Sequence, residues 1–259
     1  DVIAKDDGGK QQDSDYDIAC QSHQLQDANQ LAKTVAKHAV AKLSPENITT
    51  KRYPIVFSAP LARSLFGCFI SAINGHNIYR QSSFLLGCAG EIIFPEYITM
   101  QQCPHEKGVL SSSPFDDEGV RTAEWNILDA GRFDRYICDS YSARKIGCQT
   151  TGNAGGVFNV YVKSPTCSFK ELLQKMGTGL YVTELMGQGV NLVTGDYSRG
   201  ASGFWVENGD IQYPIDEFTI AGNLKEMFKN IIACADDVDL RGNIKTGSIL
   251  IDEMLAAGS

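Results

Sequence analysis

The chain has 259 residues, 43% of them hydrophobic and 21% charged, with a formal net charge of -8. That is enough chain for a sizeable core in one large or two small domains, and it excludes a disordered or fibrous protein. The acidic balance and the lack of any Lys/Arg cluster argue against a phosphate-gripping nucleic-acid binder, so no nucleic-acid partner is expected.

In chain order, residues 1–20 read as a polar hairpin turning at Asp7-Gly8-Gly9, part of a sheet whose other strands lie outside this chain. The start at Asp1, without Met, predicts a chain that begins within a longer protein. We therefore divide it into residues 1–24, the remnant hairpin of an N-terminal domain, and residues 25–259, the C-terminal domain. Residues 25–43 place Leu25, Ala28, Ala32, Val35, Ala36, Ala39 and Leu43 on one side, which predicts an amphipathic helix. "YPIVFSA" (53–59) reads as a buried strand, and residues 60–74 as a helix with Pro60 in its first turn. Residues 75–118 read as loop, with an edge strand at "EYITMQQ". Residues 122–139 read as a hairpin closed at Asp129–Arg132.

Ser168 and Glu171 form a capping-box pattern before Leu172, Leu173 and Met176, and Gly177 ends that helix. "GLYVTELMG" is a strand. Asn208-Gly209 predicts a type I′ hairpin. A strict two-residue register would set Phe204, Val206, Ile211 and Tyr213 on one buried face. "NLKEMFKNII" (223–232) reads as a helix capped by Asn223, with Leu224, Met227, Phe228 and Ile231 on one side, and "SILIDEML" closes the sheet. Strands outnumber helices without alternating with them. This predicts an α+β fold, with mostly antiparallel sheets and a few packed amphipathic helices.

The eight cysteines contain no Cys-x-x-Cys pair and read as free thiols in a reducing compartment. No apolar run is long enough to span a bilayer, so no membrane partner is expected.

Candidate chemistry is sparse. His105-Glu106 lacks the second histidine of a zinc helix, and Pro104 and Gly108 disfavour a helix there. "FDDEG" (115–119) lacks calcium-loop spacing. Ser142-Ala-Arg-Lys145 and Lys245-Thr-Gly247 fit S-x-x-K and K-T-G of penicillin-recognising hydrolases, but the third element is not convincingly present. These stretches read instead as a helix start and a strand entry. "TTGNAGG" (150–156) lacks the lysine of a phosphate loop. "GDYSRG" (195–200) places an acid, a phenol, a hydroxyl and an arginine together in a glycine-rich stretch. It reads either as a tight loop with an Asp-Arg pair or as a binding element.

"SPFDDEGVRT", "SYSARKIG", "TTGNAGG", "GSILI" and above all "MGTGLYVTELMGQGVNLVTGDYSRGASGFWVENGDIQYPIDEFTIAGNLKEMFKNI" closely resemble the C-terminal part of the PmbA/TldE family, long labelled modulators of DNA gyrase. The resemblance implies a cytoplasmic protein that pairs with a TldD-like subunit as a heterodimer, or with itself when alone. It implies a zinc metalloprotease complex that processes unfolded peptides in peptide maturation and antitoxin degradation. In the TldD partner the zinc sits on an H-E-x-x-x-H helix, which aligns with "LARSLFGCFISAI" here, at Arg63, Ser64 and Cys68. A late cysteine ligand of TldD aligns near "IKTGS", where this chain has Thr246. No catalytic residue and no metal ligand is therefore expected in this chain, and zinc is expected in the partner. Gly189, Asp196, Tyr197, Ser198 and Arg199 are expected to contact the extended peptide, where glycine permits close backbone approach. Two alternatives stand beside this reading: a metallopeptidase in its own right, and a regulatory binding module without catalysis.

Overall fold

The computed structural model describes residues 1–258. Strands β1 (Val2–Asp6) and β2 (Gly9–Asp13) form the opening hairpin, and the helix α1 (Ala28–Ala41) packs beside it. α1 starts at Ala28, not Leu25, because Asp27 caps it by accepting from the Gln30 amide. β3 (Lys51–Phe57) leads directly into α2 (Ala59–Ala72) and the short α3 (Gly75–Tyr79). Then follow β4 (Thr99–Gln102), β5 (Trp125–Leu128), α4 (Ser140–Ile146), β6 (Val160–Lys163) and β7 (Thr166–Cys167). The C-terminal half holds α5 (Phe169–Met176), β8 (Gly179–Met186), β9 (Asp196–Glu207), β10 (Asp210–Asn223) and α6 (Leu224–Lys229). It ends with β11 (Ile231–Ala235), β12 (Ile244–Lys245) and β13 (Ile249–Ala257).

The main sheet runs β10-β9-β8-β3-β13-β11-β7, and β10 also pairs with β13. Five strands thus form a closed circuit of pairings, which leaves few free edges. A four-stranded sheet, β12-β6-β4-β5, stands apart. Among the described residues eight of eleven strand pairings are antiparallel, as expected for this α+β fold.

The central strands are buried on both faces. Ile55 and Phe57 enter the main core with Leu65, Phe66 and Phe69 of α2, while Val56 between them enters a second cluster under α5, with Leu172, Leu173 and Val206. β13 divides in the same way, with Ile249 and Ile251 to one side and Leu250 to the other. Continuous apolar runs such as "YPIVF" and "SILI" follow from that two-sided burial. The Ser168–Glu171 capping box is present, with Ser168 accepting from the Glu171 amide and Glu171 accepting from the Ser168 amide.

Several local expectations need correction. β4 is an interior strand between β5 and β6, not an edge. The Asp129–Arg132 turn forms, but the chain after it does not return along β5, which pairs with β4 instead. α6 ends at Lys229, and Ile231 opens β11. The Asn208-Gly209 turn has the expected positive φ angles, 55° and 80°. The register slips after Ile211, because Gln212 bulges and pairs Tyr213 with Trp205. Tyr213 therefore stacks on Trp205, whereas Phe204 stacks on Tyr181. Of the four residues expected on one buried face, only Val206 is fully buried, and Ile211 is 44% exposed.

α4 is anchored at its N-terminus by Asp139. Its carboxylate accepts from the Ser142 amide (2.7 Å) and hydroxyl (2.6 Å) and lies 2.7 Å from His76 Nε2. Burial alone would raise this carboxyl, but the Ser142 and His76 contacts outweigh it and hold it at about 2. A folded-state value below the unfolded one contributes stability above about pH 4, which is lost as pH falls toward 2. Asp139→Asn is expected to cost about 1–2 kcal/mol at pH 7. Urea unfolding of both proteins along a pH series should show that difference shrinking below about pH 4.

Candidate active-site cleft and peptide-binding region

A cavity of about 640 Å³ opens at the N-terminus of α2. Its walls are residues 15–26, the first turn of α2, the 236–241 loop, Tyr161 and Lys245. α2 starts abruptly because Ser58 closes the end of β3 with its amide on the Val182 carbonyl, and Pro60 needs no amide partner in the first turn.

One wall is an ion network. Asp239 is buried, and it accepts from Arg63 Nη1 (3.2 Å), Arg241 Nε (2.9 Å) and the Arg241 amide (3.0 Å). Arg241 also reaches the Asp15 carboxylate and the Tyr16 carbonyl, and its guanidinium lies over the Tyr16 ring. Burial would raise the Asp239 carboxyl, but hydrogen bonds from Arg241 and the charges of Arg241 and Arg63 lower it below its ordinary value.

Beside this network the cleft is lined by Lys245. Its ammonium donates to Asn159 Oδ1 (2.6 Å) and the Gly242 carbonyl (3.4 Å), and burial pushes the amine below its ordinary pKa. Tyr161 lies beneath it and donates to Glu106 Oε2. Burial, then the bond to Glu106 and its negative charge, keep that phenol protonated. Sequence reasoning missed this cleft. The available signal was Lys245 itself, a lysine beside Ile244 shortly before the apolar run of the last strand.

The outward side of α2 carries the aligned positions Arg63, Ser64 and Cys68. Arg63 is held by Asp239, and Ser64 donates back to the Leu61 carbonyl (2.7 Å). Cys68 is partly buried, its thiol raised by desolvation against the opposing charge of Arg199. A guanidinium, a helix-bonded hydroxyl and a protonated thiol do not fit a zinc ion, which needs three or four anionic or neutral donors converging on one point. Among the described residues no group of three or more His, Cys, Asp or Glu is placed to hold a metal ion.

The five expected peptide contacts lie elsewhere, on β9 and the loop before it. "DYSR" is strand, not loop, and the pleat separates its members. Asp196 and Ser198 are exposed, whereas Tyr197 is buried in the main core and Arg199 is half-buried. No Asp-Arg pair forms there: Asp196 accepts from the Thr194 hydroxyl (2.6 Å). Arg199 instead acts electrostatically on Cys68 of α2 and on Tyr197, and its Nε is buried without a hydrogen-bond partner among the described residues. Gly189 packs against β9 itself. The Ser198 amide donates to its carbonyl (2.6 Å), and a Cβ at 189 would overlap the Ser198 carbonyl. Gly203 likewise lets β8 approach, since a Cβ there would overlap the Tyr181 carbonyl. The close approach these two glycines permit is that of neighbouring strands of the same sheet. The structure brings Tyr197 and Arg199 together with α2, and does not bring Gly189, Asp196 or Ser198 to the large cavity.

Among the described residues no helix is long and apolar enough to cross a membrane. The family model for the PmbA/TldA metallopeptidase C-terminal domain matches residues 50–258. The chain is 46% identical over 257 residues to an Escherichia coli O157:H7 protein named Metalloprotease PmbA, covering 99% of this chain and 57% of that protein. It is 46% identical to the PmbA homologue of Haemophilus influenzae, covering 100% of this chain and 57% of that protein. The chain thus spans less than two thirds of the length of these relatives. A Thermotoga maritima crystal structure, described as a candidate modulator of a DNA gyrase, superposes with a TM-score of 0.90 at 31% identity. That match covers 98% of this chain and 60% of the other. TldE from Thermococcus kodakarensis shares the fold, with a TM-score of 0.77 at 23% identity over 89% of this chain and 55% of its own. The sequence match along residues 50–258 and the shared fold lead to one conclusion: the chain belongs to the PmbA/TldA metallopeptidase family and carries its C-terminal domain.

Proposed function

We propose that this chain is the C-terminal part of the non-metal subunit of a TldD/TldE-type zinc metalloprotease. A cytoplasmic TldD-like partner supplies the zinc, and this subunit helps form the cavity that receives an unfolded peptide. The carrying observation is the outward side of α2, where Arg63 is tied to Asp239 and Ser64 to its own helix. Those groups leave this chain without the Lewis acid and activated water of a zinc peptidase, so hydrolysis falls to the partner. Residues 1–24 are read as the end of a preceding domain, consistent with β1 and β2 forming a sheet of their own.

The test is cleavage of an unfolded peptide by the protein alone, by a TldD-like partner alone, and by the two mixed. Cleavage is expected only with the zinc-loaded partner present, and faster in the mixture than with the partner alone. Zinc-dependent cleavage by this protein alone, lost on substitution in α2, overturns the proposal in favour of an autonomous metallopeptidase. Equal cleavage by the partner with and without it favours a regulatory module.

Within this reading Arg199 is the member of the β9 set best placed to hold a peptide carbonyl or carboxylate, because its buried Nε has no partner of its own. Arg199→Ala is expected to change stability by no more than about 1 kcal/mol. It should raise the complex's KM for peptide about tenfold, with Arg199→Lys recovering only part of the loss. A fall in stability as large as that of a core variant would make Arg199 structural.

A further inference from the structure

Outside the cleft, two of the eight thiols are in contact. α4 ends at Gly147, whose φ of 82° reverses the chain. The turn is held by the Gly147 and Cys148 amides, both donating to the Ala143 carbonyl at 2.9 Å. Cys148 is thereby carried back toward the start of the helix, and its Sγ lies 3.8 Å from Cys138 Sγ. Cys138 is fixed from the other side: its amide donates to the Thr151 hydroxyl (3.0 Å), and its carbonyl accepts from the Thr151 amide (2.9 Å). The other cysteines with sulfur hydrogen bonds use other partners, Cys88 with Leu86 and Lys225, and Cys167 with the Cys234 carbonyl. Among the described residues 138–148 is the only thiol–thiol hydrogen bond.

The two sulfurs differ in a way that suits sequential oxidation. Cys148 is exposed and Cys138 is buried. We infer that Cys138 and Cys148 are a peroxide-responsive dithiol that closes reversibly to a disulfide spanning α4. The Cys148 thiolate attacks a peroxide oxygen, so that an S–O bond forms, the O–O bond breaks, and hydroxide leaves and is protonated to water. Cys138 then attacks the sulfenic sulfur. The S–S bond forms, the S–O bond breaks, and the departing oxygen takes the Cys138 proton as a second water. The dithiol loses two electrons and the peroxide gains them. Burial and the neighbouring Cys148 raise the Cys138 thiol, which disfavours its own reaction with peroxide and leaves the exposed Cys148 to be oxidised first. Shortening 3.8 Å to a bond of about 2.0 Å asks for movement of under about 2 Å, which the exposed Cys148 side of the turn can provide.

The sequence makes the product easy to read. Arg144 and Lys145 lie between the two cysteines, so trypsin places Cys138 in peptide 136–144 and Cys148 in peptide 146–163. The full chain is treated with hydrogen peroxide, quenched with N-ethylmaleimide and mapped by mass spectrometry. The expected result is loss of two of the eight thiols, with 136–144 joined to 146–163 as the main linked species and full recovery with dithiothreitol. Cys148→Ser should lower the yield of any internal disulfide at least tenfold, while Cys20→Ser, at the other exposed thiol, should leave the linkage unchanged. The inference is overturned if the main linked pair is Cys167 with Cys234, if Cys148 proceeds to sulfinic acid unlinked, or if Cys148→Ser still forms the same yield of disulfide.

Discussion

Phe69→Ala is expected to destabilise the chain by about 3–5 kcal/mol, a large part of the 5–15 kcal/mol that holds a typical domain folded. Phe69 sits on the inward side of α2 and is fully buried. Its ring meets Phe94 edge-on at 5.0 Å, Phe133 at 5.8 Å and Phe228 at 6.0 Å. These three rings come from separate parts of the chain, the segment before β4, the segment after β5, and α6, and Phe94 stacks on Phe228 at 4.6 Å. Removing the central ring opens a cavity and breaks three edge-to-face pairs at once. Around it lie residues already packed from three directions, so collapse into the space is restricted. Urea titration should show a lower midpoint with unchanged slope, and the melting temperature should fall by roughly 6–20 °C. Phe69→Leu, which refills most of the volume, should recover more than half of the loss. A cost below about 1.5 kcal/mol for the alanine variant would mean that the four rings do not form one packed unit.

Much of the fold was legible where the determining interactions are local. The Ser168–Glu171 box lies within one turn of helix, so four residues carry all its information. Asn208-Gly209 fixes a turn for the same reason. The register beyond that turn was not legible. Gln212 bulges only relative to its partner strand, and a two-residue period read along one strand cannot reveal an extra residue. The β12-β6-β4-β5 sheet was out of reach for a related reason: its strands are two to four residues long, with partners separated by far more chain than any periodicity covers. In the site, the resemblance pointed to Arg63, Ser64 and Cys68 on α2, but not to the ion network that holds Arg63. Arg63, Asp239, Arg241 and Asp15 come from three distant parts of the chain, and nothing in the local pattern of any of them announces the others. The β9 residues show the converse: Tyr197 and Ser198 are adjacent in sequence, but the pleat sends them to opposite faces.

That ion network carries the second large effect. Asp239→Ala is expected to cost about 2–4 kcal/mol. The carboxylate side chain is 4% exposed and receives both guanidiniums, Arg63 to Oδ2 at 3.2 Å and Arg241 to Oδ1 at 2.9 Å. With Asp239 removed, two positive charges remain beside each other with side chains only 25% and 21% exposed. The loss is mainly the burden of those stranded charges, eased because each guanidinium keeps some water and Arg241 keeps Asp15. Asp239→Asn should cost nearly as much, since the amide preserves shape but does not neutralise either arginine. Because the folded carboxyl is held below its unfolded value, the difference from Asp239→Asn should be full above about pH 4 and fade as pH falls through the lowered folded value. Asp15→Ala is the control. Its side chain is 30% exposed and Arg241 would retain Asp239, so the cost should stay within about 1 kcal/mol, although the 15–26 wall of the cleft should loosen and cut sooner with protease. If Asp239→Ala costs no more than Asp15→Ala, the network does not hold α2 to the 236–241 loop, and Arg63 is free to serve the cleft in some other way.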